Sequence, residues 1–125
     1  MQDKTVRLSI PAEASYARAV RMMAANLAVL CDMSVDDVED VRMAAEEGFV
    51  FSCATMPETC EVSFELVDDG IDMDFLLGDA HDDEIEAGSV DISLIELLLS
   101  AVCDDFDVTE EGYLHLVMRA GKAHA

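Results

Sequence analysis

Residues 34–53 read SVDDVEDVRMAAEEGFVFSC, and their pattern decides the fold. Ser34 is a good helix N-cap, and Asp37 three residues on completes a capping-box-like pair. Asp36, Asp37, Glu39 and Asp40 crowd the first turns, where the positive end of the helix dipole favours acid. Val38, Val41, Ala45, Phe49 and Ser52 recur at helical spacing and form a packing stripe. A second stripe runs through Asp40, Ala44, Glu47 and Phe51, with one acid deep in the helix and an aromatic at its end. The spacing predicts one helix from Ser34 to Cys53.

Within it, residues 37–48, DVEDVRMAAEEG, resemble the second helix of the anti-sigma-factor serine kinases. These belong to the bacterial and wider histidine-kinase-like ATPase superfamily. In that family the helix continues Glu-Ala-x-x-Asn. The glutamate acts on the attacking hydroxyl or water, and the asparagine ligates the Mg²⁺ on the phosphates. The resemblance implies that Glu47 keeps the glutamate, while Phe51 stands where the asparagine belongs. Phe51 cannot ligate a metal, since Mg²⁺ wants oxygen ligands. Asn26, the chain's one asparagine, lies too far back to restore the motif.

Outward from this helix the elements follow from local pattern. Residues 4–10 alternate as a strand, with Val6, Leu8 and Ile10 on one side and Pro11 ending it. A helix is predicted from Glu13 to Cys31, with Tyr16, Val20, Met23, Leu27 and Leu30 as its buried stripe. Arg18 and Arg21 face out and, with Arg42 on the next helix, make a basic cluster. Residues 31–33 turn into the Ser34 helix, which Pro57 breaks. Residues 60–67 alternate, with Val62, Phe64 and Leu66 on one face. Asp68, Asp69 and Gly70 signal a hairpin, and Ile71, Met73, Phe75 and Leu77 form the return strand. Residues 81–90 are a polar loop. Asp91 or Ser93 caps a third helix with Ile92, Ile95, Leu98, Leu99 and Val102 as apolar contacts. Phe106 and Val108 suggest a strand, Glu110 to Gly112 a turn, Tyr113 to Arg119 a last strand, and residues 120–125 a tail. The order β-α-α-β-β-α-β-β predicts an α+β fold, a two-layer α/β sandwich of an antiparallel-dominated sheet with three helices on one face. The resemblance implies the same order and one histidine-kinase-like ATPase domain over residues 1–125.

Composition sets limits. With 125 residues and 52% apolar content, the chain has enough for one domain with a core. No apolar run approaches the roughly 18–20 residues of a membrane span, and the N-terminus lacks a signal peptide's apolar run, so a cytoplasmic protein is expected. Net charge is −21, and between Met43 and Met118 there are 21 of the 28 acids and no Lys or Arg. Such a surface repels nucleic acid and anionic lipid and attracts basic proteins or cations. Cys31, Cys53, Cys60 and Cys103 form no CxxC pair and read as free thiols.

The family's other motifs are altered. Its Asp-x-Gly-x-Gly after the third strand, which reads adenine and approaches the nucleotide, corresponds to Leu77–His81, so Gly78 and Asp79 are at best shifted stand-ins; turn chemistry accounts for both. Its Gly-x-Gly at the head of the last helix, where N–H groups cradle phosphate, corresponds to Asp91 and Ser93. An aspartate there satisfies the donors a phosphate needs. Its Gly-Thr-Thr before the last strand is reduced to Gly112. Phosphoryl transfer needs a metal, charge-neutralising donors and a residue orienting the nucleophile, and only Glu47 remains for the last role. The acidic stretch 79–86 lacks the spacing and glycine of a calcium loop, so no metal site is expected.

No useful ATP binding is therefore expected, and Phe51 with apolar neighbours is expected to fill the former nucleotide pocket. The leading expectation is a non-catalytic protein-binding module of transcriptional or stress regulation. By resemblance its partner is a sigma factor or anti-sigma antagonist, with homodimerisation common in the family. Two alternatives are an ATP- and Mg-dependent serine-protein kinase using Glu47 as base, and a sensory domain holding another small ligand in the old pocket.

Overall fold

The structure is a computed structural model, and it describes residues 4–79 and 92–120. Its elements run β1 (Lys4–Pro11), α1 (Ala17–Leu30), α2 (Val35–Ala54), β2 (Thr59–Val67), β3 (Gly70–Leu76), α3 (Ile92–Val102), β4 (Asp105–Val108) and β5 (Tyr113–Arg119). This is the expected order, an α+β architecture with a five-stranded sheet of order β1-β2-β3-β5-β4 and every neighbouring pair antiparallel.

α2 forms as its sequence dictates. Ser34 is extended, at φ −66 and ψ 166, and its Oγ accepts the Asp37 N–H at 3.1 Å. Val41, Ala44, Ala45, Phe49, Phe51 and Ser52 are buried, so the apolar members of both stripes pack inward. α1 and α3 flank it, and the inner face of β2, β3 and β5 lies against it. The helix ends at Ala54, and Met56 takes a left-handed conformation at φ 58 before Pro57. The stop is thus a helix C-cap made without glycine, with proline just beyond it.

α1 differs from expectation in two ways. Its first residues, Ala14–Tyr16, form a separate 3-10 turn. The buried stripe is Val20, Ala24, Leu27 and Ala28, whereas Tyr16 is 41% and Leu30 66% exposed. The cause is size. Alanines let two helix axes approach closely, and α2 presents its own buried Ala44 and Ala45. The small residues therefore define the contact, and the larger ones at the helix ends are left outside it.

In the sheet, alternation holds. Ile10, Cys60, Val62, Phe64, Ile71, Met73, Phe75, Leu114, Leu116 and Met118 point into one core shared with all three helices. The β2–β3 hairpin closes at the Val67–Gly70 pair. Neither Asp68 nor Asp69 has positive φ, so this is not the mirror-image turn that an Asp-Gly signal suggests. Gly70 instead opens β3, and a Cβ there would lie 2.0 Å from the Met118 carbonyl oxygen. The glycine is required by the close approach of β5. Leu77 lies beyond the end of β3, half-buried, with its N–H on the Gly112 carbonyl at 2.9 Å. Gly112, at φ 90, closes the β4–β5 turn, where the Thr109 N–H donates to the Tyr113 carbonyl and the Tyr113 N–H donates to Thr109 Oγ1. Among the described residues no helix is long and apolar enough to cross a membrane. The expected loop at 81–90, the Asp91 cap and the tail after Ala120 lie outside the described residues.

Candidate functional site

Glu47 sits midway along α2 on the wall of a cleft of about 310 Å³, formed where Arg21 of α1 and Leu98 of α3 face Met43 and the acids of α2. Arg21 Nη1 donates to Glu46 Oε1 at 2.8 Å across the two helices. Arg42 donates to Glu39 one turn along the same helix. Both guanidiniums of the cleft are thus held by its own carboxylates. The Glu47 carboxylate has no hydrogen bond or ion pair among the described residues. Burial, and then the charge of Glu46, push its carboxyl above the ordinary value.

Phe51, one turn further on, is 9% exposed and belongs to the core cluster. It does not line the cleft. The expectation that Phe51 fills the former pocket is therefore corrected: an open cleft lies beside Glu47, and Phe51 is turned into the core. On one stripe Asp40 and Glu47 are half-buried, whereas Ala44 and Phe51 are buried, Phe51 within the core cluster.

Gly78 and Asp79 lie elsewhere. They line a second cleft of about 570 Å³ with Met56, Pro57, Glu61 and Leu77. The two clefts share no lining residue, so Glu47 and Asp79 are not brought into one site. Gly78 is packed against the end of α2, where a Cβ would lie 2.2 Å from the Thr55 carbonyl oxygen. Gly112 neighbours it through the Leu77 backbone bond. Ser93 is the second residue of α3 and exposed, so it is not the N-cap; Asp91 lies outside the described residues. Gly78 and Gly112 thus have structural roles, in close packing against the end of α2 and in the β4–β5 turn.

Two groups of residues escaped the sequence reading. At the C-terminal end of α2, Ser52 Oγ donates to the Leu76 carbonyl at 2.6 Å, leaving the Cys60 thiol at 3.1 Å to donate to Ser52. Thr55 Oγ1 donates to the Ser52 carbonyl at 2.6 Å and accepts the Gly78 N–H at 2.8 Å. On the open face of the sheet, Arg119 Nη1 donates to Asp72 Oδ1 at 2.6 Å, and His115 Nδ1 lies 2.7 Å from Asp74 Oδ1. Strand alternation could have found the second group, since Asp72 and Asp74 flank the inward Met73. Among the described residues no group of three or more His, Cys, Asp or Glu is placed to hold a metal. All four cysteines are free. Compared with known proteins, the chain matches no protein-family model and no curated protein.

Proposed function

We propose that this chain is a non-catalytic protein-binding module, a degenerate relative of the anti-sigma serine kinases that works in the cytoplasm on a basic protein partner. One observation carries the reading. Phe51, at the position of the expected metal ligand, is buried in the core, and the cleft beside Glu47 is walled by Glu39, Asp40, Glu46 and Glu47 with its two arginines already paired. A nucleotide triphosphate brings several negative charges, and nothing among these groups offsets them. The net charge of −21 favours encounter with a cationic surface, such as a DNA-binding segment of a sigma factor.

Calorimetric titration with Mg-ATP tests it. The expected result is no heat and no thermal stabilisation at millimolar nucleotide. Saturable binding, abolished in turnover but not in affinity by Glu47→Ala, would favour the kinase instead. The open cleft beside Glu47 supports one second reading, a sensory domain for a small cationic ligand. That reading requires a cation whose stabilisation of the fold is lost in Glu47→Gln.

A further inference from the structure

α3 is apolar on both its inner and its outer side. Its sequence is ISLIELLLSAV, in which the one charged residue is Glu96. Ile95 and Leu99 are buried and supply the inner stripe. The outer side carries two further ridges, Leu94 with Leu98 and Leu97 with Ala101, each pair one helical turn apart. Leu94 is 50% and Leu97 66% exposed. A helix at a protein surface turns polar residues outward, and an apolar outer side marks an interaction face. Leu98 leads from these ridges into the cleft against α2, where Met43, itself 46% exposed, stands between Asp40 and Glu47 at helical spacing. The charged lining of that cleft is four carboxylates, Glu39, Asp40, Glu46 and Glu47, against two guanidiniums, which Glu46 and Glu39 already engage.

We propose that the groove between α2 and α3 docks an amphipathic helix of a partner protein, apolar along one side and rich in lysine or arginine along the other. Such docking rests on the binding-module reading, to which it adds a surface. The apolar side of the incoming helix packs onto Leu94, Leu97, Leu98 and Met43, ridge against groove. Its cations fall beside the carboxylates of α2. Glu47, half-buried and without an ion pair among the described residues, thereby gains a counter-charge. Charge also decides between occupants. The chain's own residues 80–91 carry five acids, and a second copy brings a net charge of −21. Both offer the wrong sign to an acidic wall. An acidic coat by itself attracts cations anywhere on the surface, whereas the leucine ridges fix the place.

Fluorescence anisotropy of a labelled synthetic peptide tests it, the peptide having leucines on one helical face and lysines on the other, with circular dichroism confirming that each protein variant is folded. The expected result is saturable binding, weakened about tenfold or more by Leu97→Lys and a few-fold by Glu47→Gln. Val29→Lys is the control. Val29 is 60% exposed on α1 and does not line the cleft, so this variant makes the same change of charge elsewhere and weakens binding less than about twofold. A peptide of equal composition in scrambled order binds about tenfold more weakly or worse. No binding at millimolar peptide overturns the proposal. So does equal weakening by Leu97→Lys and Val29→Lys, which leaves only diffuse charge attraction. So does a dimer, seen by sedimentation, that Leu97→Lys dissociates, since a second copy is then the occupant. The Mg-ATP titration separates the two failures: a chain that binds neither nucleotide nor peptide loses the docking groove alone, and one that binds nucleotide loses the binding-module reading itself.

Discussion

Ser52 Oγ donates to the carbonyl of Leu76 at 2.6 Å, and the serine is fully buried. This bond ties the last turns of α2 to the end of β3, and Thr55 extends the tie to Gly78. Replacing Ser52 by Ala leaves the Leu76 carbonyl without this donor and the Cys60 thiol without its acceptor. Stability should fall by about 1–3 kcal/mol, the range for an orphaned buried polar group. Urea unfolding measures it. Ser100→Ala is the control, since the Ser100 hydroxyl bonds the Glu96 carbonyl at an exposed site. Equal effects in the two variants would mean that the Ser52 bond contributes nothing beyond an ordinary surface one.

The same helix end stores strain at Met56. Its φ of 58 is left-handed, and its side chain is 59% exposed, so it gains little from burial there. A non-glycine residue in that conformation costs roughly 1–2 kcal/mol. Met56→Gly should therefore stabilise the protein, by about 0.5–1 kcal/mol once the larger backbone entropy of an unfolded glycine is subtracted. A lowered unfolding midpoint in Met56→Gly would show that the methionine side chain makes contacts worth more than the strain.

Much of the fold could be read from periodicity. Phe64, Met73 and Leu116 alternate with polar neighbours, so strand faces followed directly, and Ser34 marked the start of α2. Alanines defeated the same method in α1, because Ala24 and Ala28 bury by proximity to another helix and not by size. Gly70 misled for a related reason: its constraint is the Met118 carbonyl of a strand distant in sequence. The site was harder. Glu47 was found at its place on the helix, but whether Phe51 reaches the cleft depends on how deeply α2 sinks against the sheet, which local pattern does not encode. The Ser52–Leu76 and Thr55–Gly78 bonds join residues 24 and 23 apart in sequence, so neither has a local signature.

Cys103 and Cys53 give the protein an alkaline limit. Burial first, then Asp104, Asp40 and Asp105, push the Cys103 thiol up to about 12 from 9.0. Burial, then Cys60 and Glu13, push Cys53 up to about 11. A thiol raised in the folded state binds its proton more tightly there than in the unfolded chain. Its contribution is complete below the ordinary value of 9.0 and is lost as pH rises through the folded one. Unfolding free energy should thus fall between about pH 9 and 12, and Cys103→Ala should flatten part of that fall. At pH 8 the raised Cys103 thiol is far less ionised than in the unfolded chain, so a thiol-specific disulfide reagent should modify it far more slowly than in denatured chain. Rapid labelling of the folded protein at Cys103 would contradict the inferred environment.

Glu47 supplies a test that separates stability from function. Its carboxyl is raised by burial and by Glu46, so the folded state holds this proton more tightly than the unfolded chain does. The resulting stabilisation is present at pH values below the ordinary 4.5 and is lost as pH rises through the raised folded value. At neutral pH the charged form is therefore a small liability. Glu47→Gln keeps the shape and removes the charge, so it should be more stable than the wild type at pH 7. The gain should be only a few tenths of a kcal/mol, because the side chain is largely solvated and screened. The difference should shrink as pH falls and Glu47 itself becomes neutral. Paired thermal melts of the two proteins across acid to neutral pH measure this. A Glu47→Gln variant less stable than the wild type at pH 7 would mean that a cation stands beside the carboxylate in solution, and a cationic ligand in the cleft would then outweigh burial and the repulsion from Glu46.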